Sequence, residues 1–210
     1  MKKIMFNESY GLHDSVMKGK KTQTRRVVPK SAIEKADYYT VEYFNETFDA
    51  LTLEEAVKQL YFVEKSLKLP YNIGDIVAIA QRYSDIINAN VGFKGVLMDK
   101  DNRPHKEFIK GWNNKMFVQA GLMPHHVLIM NVRIERLKAI TDEDCLKEGI
   151  YEDGGDDSFI PHYFYNYHNS DSEGFKTPQL AYSALIDRIN GKGTWECNPL
   201  VFVYDFKVID

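Results

Sequence analysis

Between Gly19 and Arg26 the sequence reads GKKTQTRR, with four basic residues, two threonines and no acid in eight positions. Residues of these types support two kinds of chemistry. An arginine presents a rigid fork of donors that matches a phosphate or the edge of a base. A lysine desolvated beside other cations has its pKa lowered and can take a proton from a hydroxyl, which turns a neighbouring threonine into a nucleophile or a positioner of water. The competing reading of the same residues is a solvated basic turn, because short basic runs are common.

The elements around the stretch decide whether these side chains can meet. Lys3 to Phe6 reads as a first strand, and Asn7 is an N-cap candidate for a helix through ESYGLHDSVMKG. Gly19 suits the end of that helix, since glycine accepts the left-handed conformation after the last turn. TQTRRVV is rich in β-favouring residues and reads as the next strand. Lys21 then stands at a helix–strand junction. Thr24 and Arg26 share one face of the strand and Arg25 takes the other.

Downstream, Thr52 and Glu55 form a capping-box pattern ahead of LTLEEAVKQLYFVEK, a helix. Ile76 to Ala80 follow a turn and read as a buried strand. DKDNRP is a turn or hairpin signal, and IKGWNNKMF reads as loop. VLIMNVRIERL alternates, with Leu128, Met130, Val132 and Ile134 expected on one face and Asn131, Arg133 and Glu135 on the other. Thr141 and Asp144 repeat the capping pattern for a short helix that Gly149 can close. The stretch 151–176 is acidic, polar and aromatic and reads as a long surface loop. Thr177 and Pro178 open a helix carrying Ala181, Leu185 and Ile189. LVFVYDFKVI is a final strand, expected to show Leu200, Phe202, Tyr204, Phe206 and Val208 on one face. Strands at both ends predict one sheet, or a barrel closed by the last strand, in an α+β fold.

Composition narrows the function classes. With 27 Lys and Arg against 30 Asp and Glu the formal charge is -3, so bulk charge does not drive binding to a polyanion. The charge is segregated, however. Lys18, Lys20, Lys21, Arg25, Arg26 and Lys30 lie between Asp14 and Glu34 with no acid among them, whereas 142–157 holds eight acids and Lys147 alone of the bases. Two cysteines make no disulfide framework. No signal peptide and no run of ~20 apolar residues is evident, which makes the cytoplasm the expected compartment and a membrane an unexpected partner.

Other chemistry-bearing residues carry weaker patterns. His125 with His126, and His162 with His168, lack a neighbouring carboxylate or thiol at a metal-ligand spacing, so no metal is expected. Cys145 sits among acids, which raise a thiol pKa and leave it inert. Trp112 and Trp195 can stack on bases, but such residues more often pack a core or rim.

Gly19, Lys21, Thr24 and Arg26 spell Gly-x-Lys-x-x-Thr-x-Arg, which resembles the signature of ASCH domains, a branch of the PUA-like superfamily. GDIVAIAQRY, MPHHVLIMNVRIERLKAITDEDCLKEGI and LIDRINGKGTWECNPLVFVYDF resemble, in order, further segments of phage- and prophage-type members. The resemblance implies a single domain over 1–210, a PUA-like small β-barrel of mixed strands with flanking helices, and insertions near 30–70, 84–115 and 151–176. It implies a cleft beside GKKTQTRR that binds RNA, a nucleotide or a modified nucleoside, and no cofactor.

One branch of the family hydrolyses the amide of N-acetylated cytidine with a lysine, a threonine and a glutamate. Lys21 and Thr24 match the first two, and Gln81 stands where many relatives carry the glutamate. A neutral amide hydrogen-bonds but cannot relay a proton. Ligand binding through Lys21, Thr24, Arg25, Arg26, Gln81 and the aromatic wall of Tyr83 is therefore the leading expectation. Catalysis by Lys21 and Thr24 is the alternative, with Asp75, Asp85 or Glu173 as replacement acids. A third reading makes 151–176 a contact surface for a protein partner.

Overall fold

The computed structural model of the chain describes residues 1–47, 50–89, 94–153, 162–165 and 174–210. Its strands are β1 (Lys2–Ile4), β2 (Gln23–Val27), β3 (Ile76–Ile79), β4 (His126–Arg136), β5 (Tyr151–Asp153), β6 (His162–Phe164) and β7 (Leu200–Val208). The helices between β1 and β4 are α1 (Leu12–Met17), α2 (Lys30–Thr47), α3 (Leu53–Lys58), α4 (Tyr83–Ala89), α5 (Lys94–Leu97) and α6 (Ile109–Trp112). After β4 come α7 (Asp142–Lys147), α8 (Pro178–Asn190) and α9 (Thr194–Cys197). The fold is α+β, as expected.

Five strands form one mixed sheet in the order β1-β3-β4-β7-β2, and β5 with β6 make a separate two-stranded ribbon. β1 runs parallel to β3, and every other neighbouring pair in the large sheet is antiparallel. The two terminal strands do share this sheet, but the last strand does not close it. β7 lies inside, between β4 and β2, and Leu200 to Tyr204 are buried without interruption. A strand covered on both faces reads as a continuous apolar run. The expected alternation missed this because Val201 and Val203 are buried along with Leu200, Phe202 and Tyr204.

Among the described residues no ladder joins the outer strands β1 and β2, so the sheet is open. Its outer strands still approach each other. Arg26 on β2 donates to the carbonyl of Met5, just past β1, at 2.6 Å, and Phe6 packs on Phe206 at 5.5 Å between ring centroids.

The predicted face of β4 needs correction. A bulge between Ile129 and Asn131 shifts the pairing with β7 by one residue. Val127 and Ile129 are buried before it and Val132 and Ile134 after it, whereas Met130 is exposed. An extra residue in one strand reverses which parity faces the core, so Leu128 and Met130 do not share a face with Val132 and Ile134.

Three further differences are local. α1 starts at Leu12 and not directly after Asn7, because Gly11 in a left-handed conformation precedes it and the Asn7 carbonyl accepts from Leu12 and His13. α2 has no counterpart in the sequence reading; only Ala32 and Ala36 are buried outright along its described length, too faint an apolar stripe to register. In 84–126, read only as turn and loop, α4 and α6 surround a second core of Tyr83, Ile86, Leu97, Phe108 and neighbours. The capping predictions at Thr52, Thr141 and Thr177 hold, each side chain accepting from the backbone three residues on.

Candidate functional site

GKKTQTRR turns from α1 into β2, and Gly19 has the left-handed φ of 67° that ends the helix. The chain then runs along the open edge of the sheet, since among the described residues β2 pairs only with β7. Beside that edge lies a cleft of about 790 Å³. Buried Lys21 and Glu148 line it. So do Thr24, Arg25 and Arg26 of β2, and Leu185, Ile186 and Ile189 of α8 supply apolar lining. Four of the six predicted binding residues thus meet in one cavity.

Lys21 is the most unusual of them, at 2% exposure for a lysine. Its Nζ donates to Glu148 Oε2 at 2.5 Å and to the Glu148 backbone carbonyl at 2.7 Å. The second bond satisfies a carbonyl at the C-terminal end of α7, where a cation also complements the helix dipole. Gly149, with φ of 100°, lets the chain turn directly after Glu148, and a Cβ there would sit 3.6 Å from the Lys21 stem. Burial lowers the Lys21 pKa below its ordinary value, and the attraction of Glu148 only partly offsets this.

Glu148 is the residue that sequence reasoning missed. The Glu-Gly-Ile segment was visible, but nothing in its spacing says that the end of α7 folds back onto the start of β2. None of the three acids considered instead is shown at Lys21. Asp75 pairs with Lys2 at 3.0 Å, Asp85 pairs with Arg82 at 2.7 Å, and Glu173, like His168, lies outside the described residues.

Arg25 faces Glu148 from the other side, with Nη1 at 3.3 Å from Oε1. Its Nη2 reaches Glu135 at 2.7 Å and Asp144 at 3.0 Å, and Nη1 also donates to the Gln23 carboxamide at 2.5 Å. Burial disfavours the charged guanidinium, but Glu148 and Glu135 outweigh it and hold the pKa above the ordinary arginine value. Arg133 extends the network to Asp144 at 2.5 Å and Asp205 at 3.2 Å. Arg25 is therefore spent on orienting carboxylates, Glu148 among them, and its fork is not offered to a ligand.

Arg26 differs. It is half-buried and donates to the Met5 carbonyl, and among the described residues no carboxylate pairs with it. The turn Gly191–Thr194 also lines the cleft. Its amides do not wait for an anion, because Asp187 already accepts from Gly193 N at 3.1 Å and Trp195 N at 2.7 Å.

Gln81 and Tyr83 are not brought into the cleft. The Gln81 backbone N–H donates to Met123 Sδ at 3.3 Å, and its side-chain Oε1 is buried with no partner among the described residues. Tyr83 is 1% exposed in the second core, packs edge-on against Phe108 at 5.2 Å, and accepts from Gln119 N at 2.8 Å. Gln81 follows the end of β3 and Tyr83 opens α4, which belongs to the second core, so neither lies on a strand beside β2.

Trp112 packs against the second core and Trp195 against Tyr182 at the cleft's outer turn. Among the described residues no group of three His, Cys, Asp or Glu side chains is close enough to hold a metal, and no helix is long and apolar enough to cross a membrane. No protein-family model matches the chain, and comparisons with curated proteins and with solved structures returned no significant match.

Proposed function

We propose that the cleft binds a nucleotide-like ligand, either a modified nucleoside or one residue of an RNA strand, in an ASCH-like module of the PUA-like type. One observation carries this reading. Arg26, a half-buried cation without a carboxylate partner among the described residues, lines the same cleft as the apolar side chains of Leu185, Ile186 and Ile189. That pairing suits a planar apolar ring attached to a phosphate, with the guanidinium on the anion. Thr24 adds a neutral hydrogen-bonding group to the same lining. The approach of β1 to β2 is what a sheet curling toward a small barrel would give, and it supports the same family reading.

The test is equilibrium binding of nucleoside 5′-monophosphates, with Arg26→Ala as the comparison. The expected result is salt-dependent binding that falls about tenfold or more without Arg26, in line with the loss of a charge-assisted contact. Binding to no nucleoside, nucleotide or RNA would refute the reading.

The 2.5 Å contact between Lys21 and Glu148 favours a second activity at the same site, hydrolysis of an N-acyl group on cytidine. Glu148 would take the role that Gln81 cannot fill. With its ammonium proton passed to Glu148, Lys21, its pKa lowered by burial, would accept the proton of the Thr24 hydroxyl or of a water that Thr24 positions; the acyl C–N bond then breaks, a proton goes to the leaving cytidine amine, and water completes release of the carboxylic acid. Incubation with N-acetylcytidine tests this. Turnover by the parent protein and its loss in Lys21→Ala and Thr24→Ala are expected, and no turnover by the parent ends the reading.

A further inference from the structure

Beside the cleft lies a ridge that the proposed ligand site does not use. Lys115 lines the cleft and bonds the Phe6 carbonyl and Glu8 Oε1, the latter at 3.0 Å. The next two residues, Met116 and Phe117, are 59% and 53% exposed. Their backbone is held fast nonetheless. Lys3 Nζ donates to the carbonyls of Met116 at 2.6 Å and Val118 at 2.7 Å, one on each side of Phe117. Asn114 Oδ1 accepts from Met116 N at 2.9 Å, and Val118 is buried. The turn is therefore fixed at both ends while its two largest apolar side chains face solvent.

A single exposed apolar side chain needs no explanation. Here an aromatic ring is presented on an immobilised turn, in a stretch with three lysines (Lys106, Lys110, Lys115) against one acid, Glu107, between residues 106 and 118. α6, which carries Lys110, packs against this turn. An exposed ring in a lysine-rich stretch, with Lys115 itself paired to Glu8, has the composition of a stacking platform for single-stranded nucleic acid, whose bases offer π faces and whose backbone offers charge. The rigidity matters because a ring ordered in advance loses little entropy when a base stacks on it.

We propose that the strand does not end at the cleft: the ligand is a single-stranded RNA, one nucleotide in the cleft and its neighbour stacked on Phe117, with Lys115 at the passage between the two. This rests on the nucleotide reading of the cleft and adds a second contact outside it. The overall charge of -3 keeps general polyanion binding weak, so affinity for a strand must come from these local contacts.

The experiment compares fluorescence anisotropy of a labelled RNA of about eight nucleotides, within the usual site size, with competition by cytidine 5′-monophosphate. Both are measured for the parent, Phe117→Ala, Phe117→Trp and Arg26→Ala. The octamer is expected to bind at least tenfold more tightly than the mononucleotide. Phe117→Ala should weaken the octamer about tenfold, within the loss that follows removal of a stacking aromatic, leave the mononucleotide unchanged and be rescued by Phe117→Trp. Arg26→Ala should weaken both ligands.

Equal octamer affinity with and without Phe117 overturns the proposal, as does a loss shared by the mononucleotide. If the mononucleotide binds and the octamer binds no better, the ridge fails and the cleft reading survives. If neither binds, both fail. Vesicles of mixed neutral and anionic phospholipid form a further arm. Binding to them that depends on Phe117, with octamer affinity unmoved, would make the ridge a membrane contact and refute the RNA path.

Discussion

Replacing Glu148 with glutamine tests the centre of the site, because it removes one charge and keeps the shape. Lys21 and Glu148 have side-chain exposures of 2% and 5% and lie 2.5 Å apart. At an effective dielectric near 20 their gross attraction is roughly 6–7 kcal/mol, but much of it offsets the cost of burying the two charges. What the variant measures is the cost of leaving Lys21 buried with only the Glu148 carbonyl, and removing one partner of such a pair costs about 3–5 kcal/mol.

For a chain of this size that corresponds to a fall in Tm of about 6–20 °C. Arg25 keeps Glu135 and Asp144 and adds little to the loss. The pH dependence separates this account from general damage. Lys21 already has a pKa below 10.5 through burial, and without Glu148 it falls further. The unfolded chain then binds the extra proton, so the penalty is largest below the folded-state pKa and shrinks as pH rises toward 10.5.

Urea unfolding at pH 7 and pH 9.5 reads this directly. The loss should be smaller at the higher pH, and Lys21→Met combined with Glu148→Gln should recover part of it. A loss under about 1 kcal/mol at pH 7 would refute the desolvated pair. So would a loss of equal size at both pH values.

Three other predictions follow from single contacts. Asp187→Ala frees the amides of Gly193 and Trp195, so hydrogen exchange at Trp195 should speed up with little change in the α8 core. The same amides hold the Asp187 carboxyl below its ordinary pKa, so in the parent this protection is present above about pH 4 and is lost as pH falls; exchange that ignores both the mutation and pH would contradict it. Cys197 is exposed at the cleft and Cys145 buried with its thiol pushed up to about 12. A thiol reagent should therefore label Cys197 alone in the native protein and compete with ligand, and labelling of Cys145 without denaturant would count against the packing. Gly111→Ala would put a methyl 2.5 Å from the buried Tyr83 ring and should cost about 1–3 kcal/mol by overpacking; a variant as stable as the parent would show that the second core yields freely.

How much of this was legible in the sequence depends on how far apart the cause and its partner lie. Gly19, Thr52, Thr141 and Thr177 were readable because a cap acts over three or four residues, and the structure has each end where its cap predicts. The strand at Gln23–Val27 was readable from β propensity alone. β4 was recognisable as a strand, but its bulge was not, because one extra residue changes no composition and yet reverses the buried parity.

The site shows the same division more sharply. GKKTQTRR gives the cations, but their roles come from residues more than a hundred positions away. Lys21 and Arg25 are five and one positions from Arg26, yet Glu148 pairs with both, whereas among the described residues no carboxylate pairs with Arg26. Tyr83, expected as a wall of the cleft, belongs to a different core, and the Gln81 backbone N–H donates to Met123 of that core. The acidic bias of 142–157, which read as a helix N-terminus complementing its dipole, has a second purpose that only the fold reveals. Asp144 on α7 and Glu148 at its C-terminal cap pair with the buried Arg25 of β2. Part of the charge segregation along the chain, Lys21 and Arg25 against Asp144 and Glu148, is thus the sequence trace of one buried network, and among the described residues that network supplies no acid to Arg26.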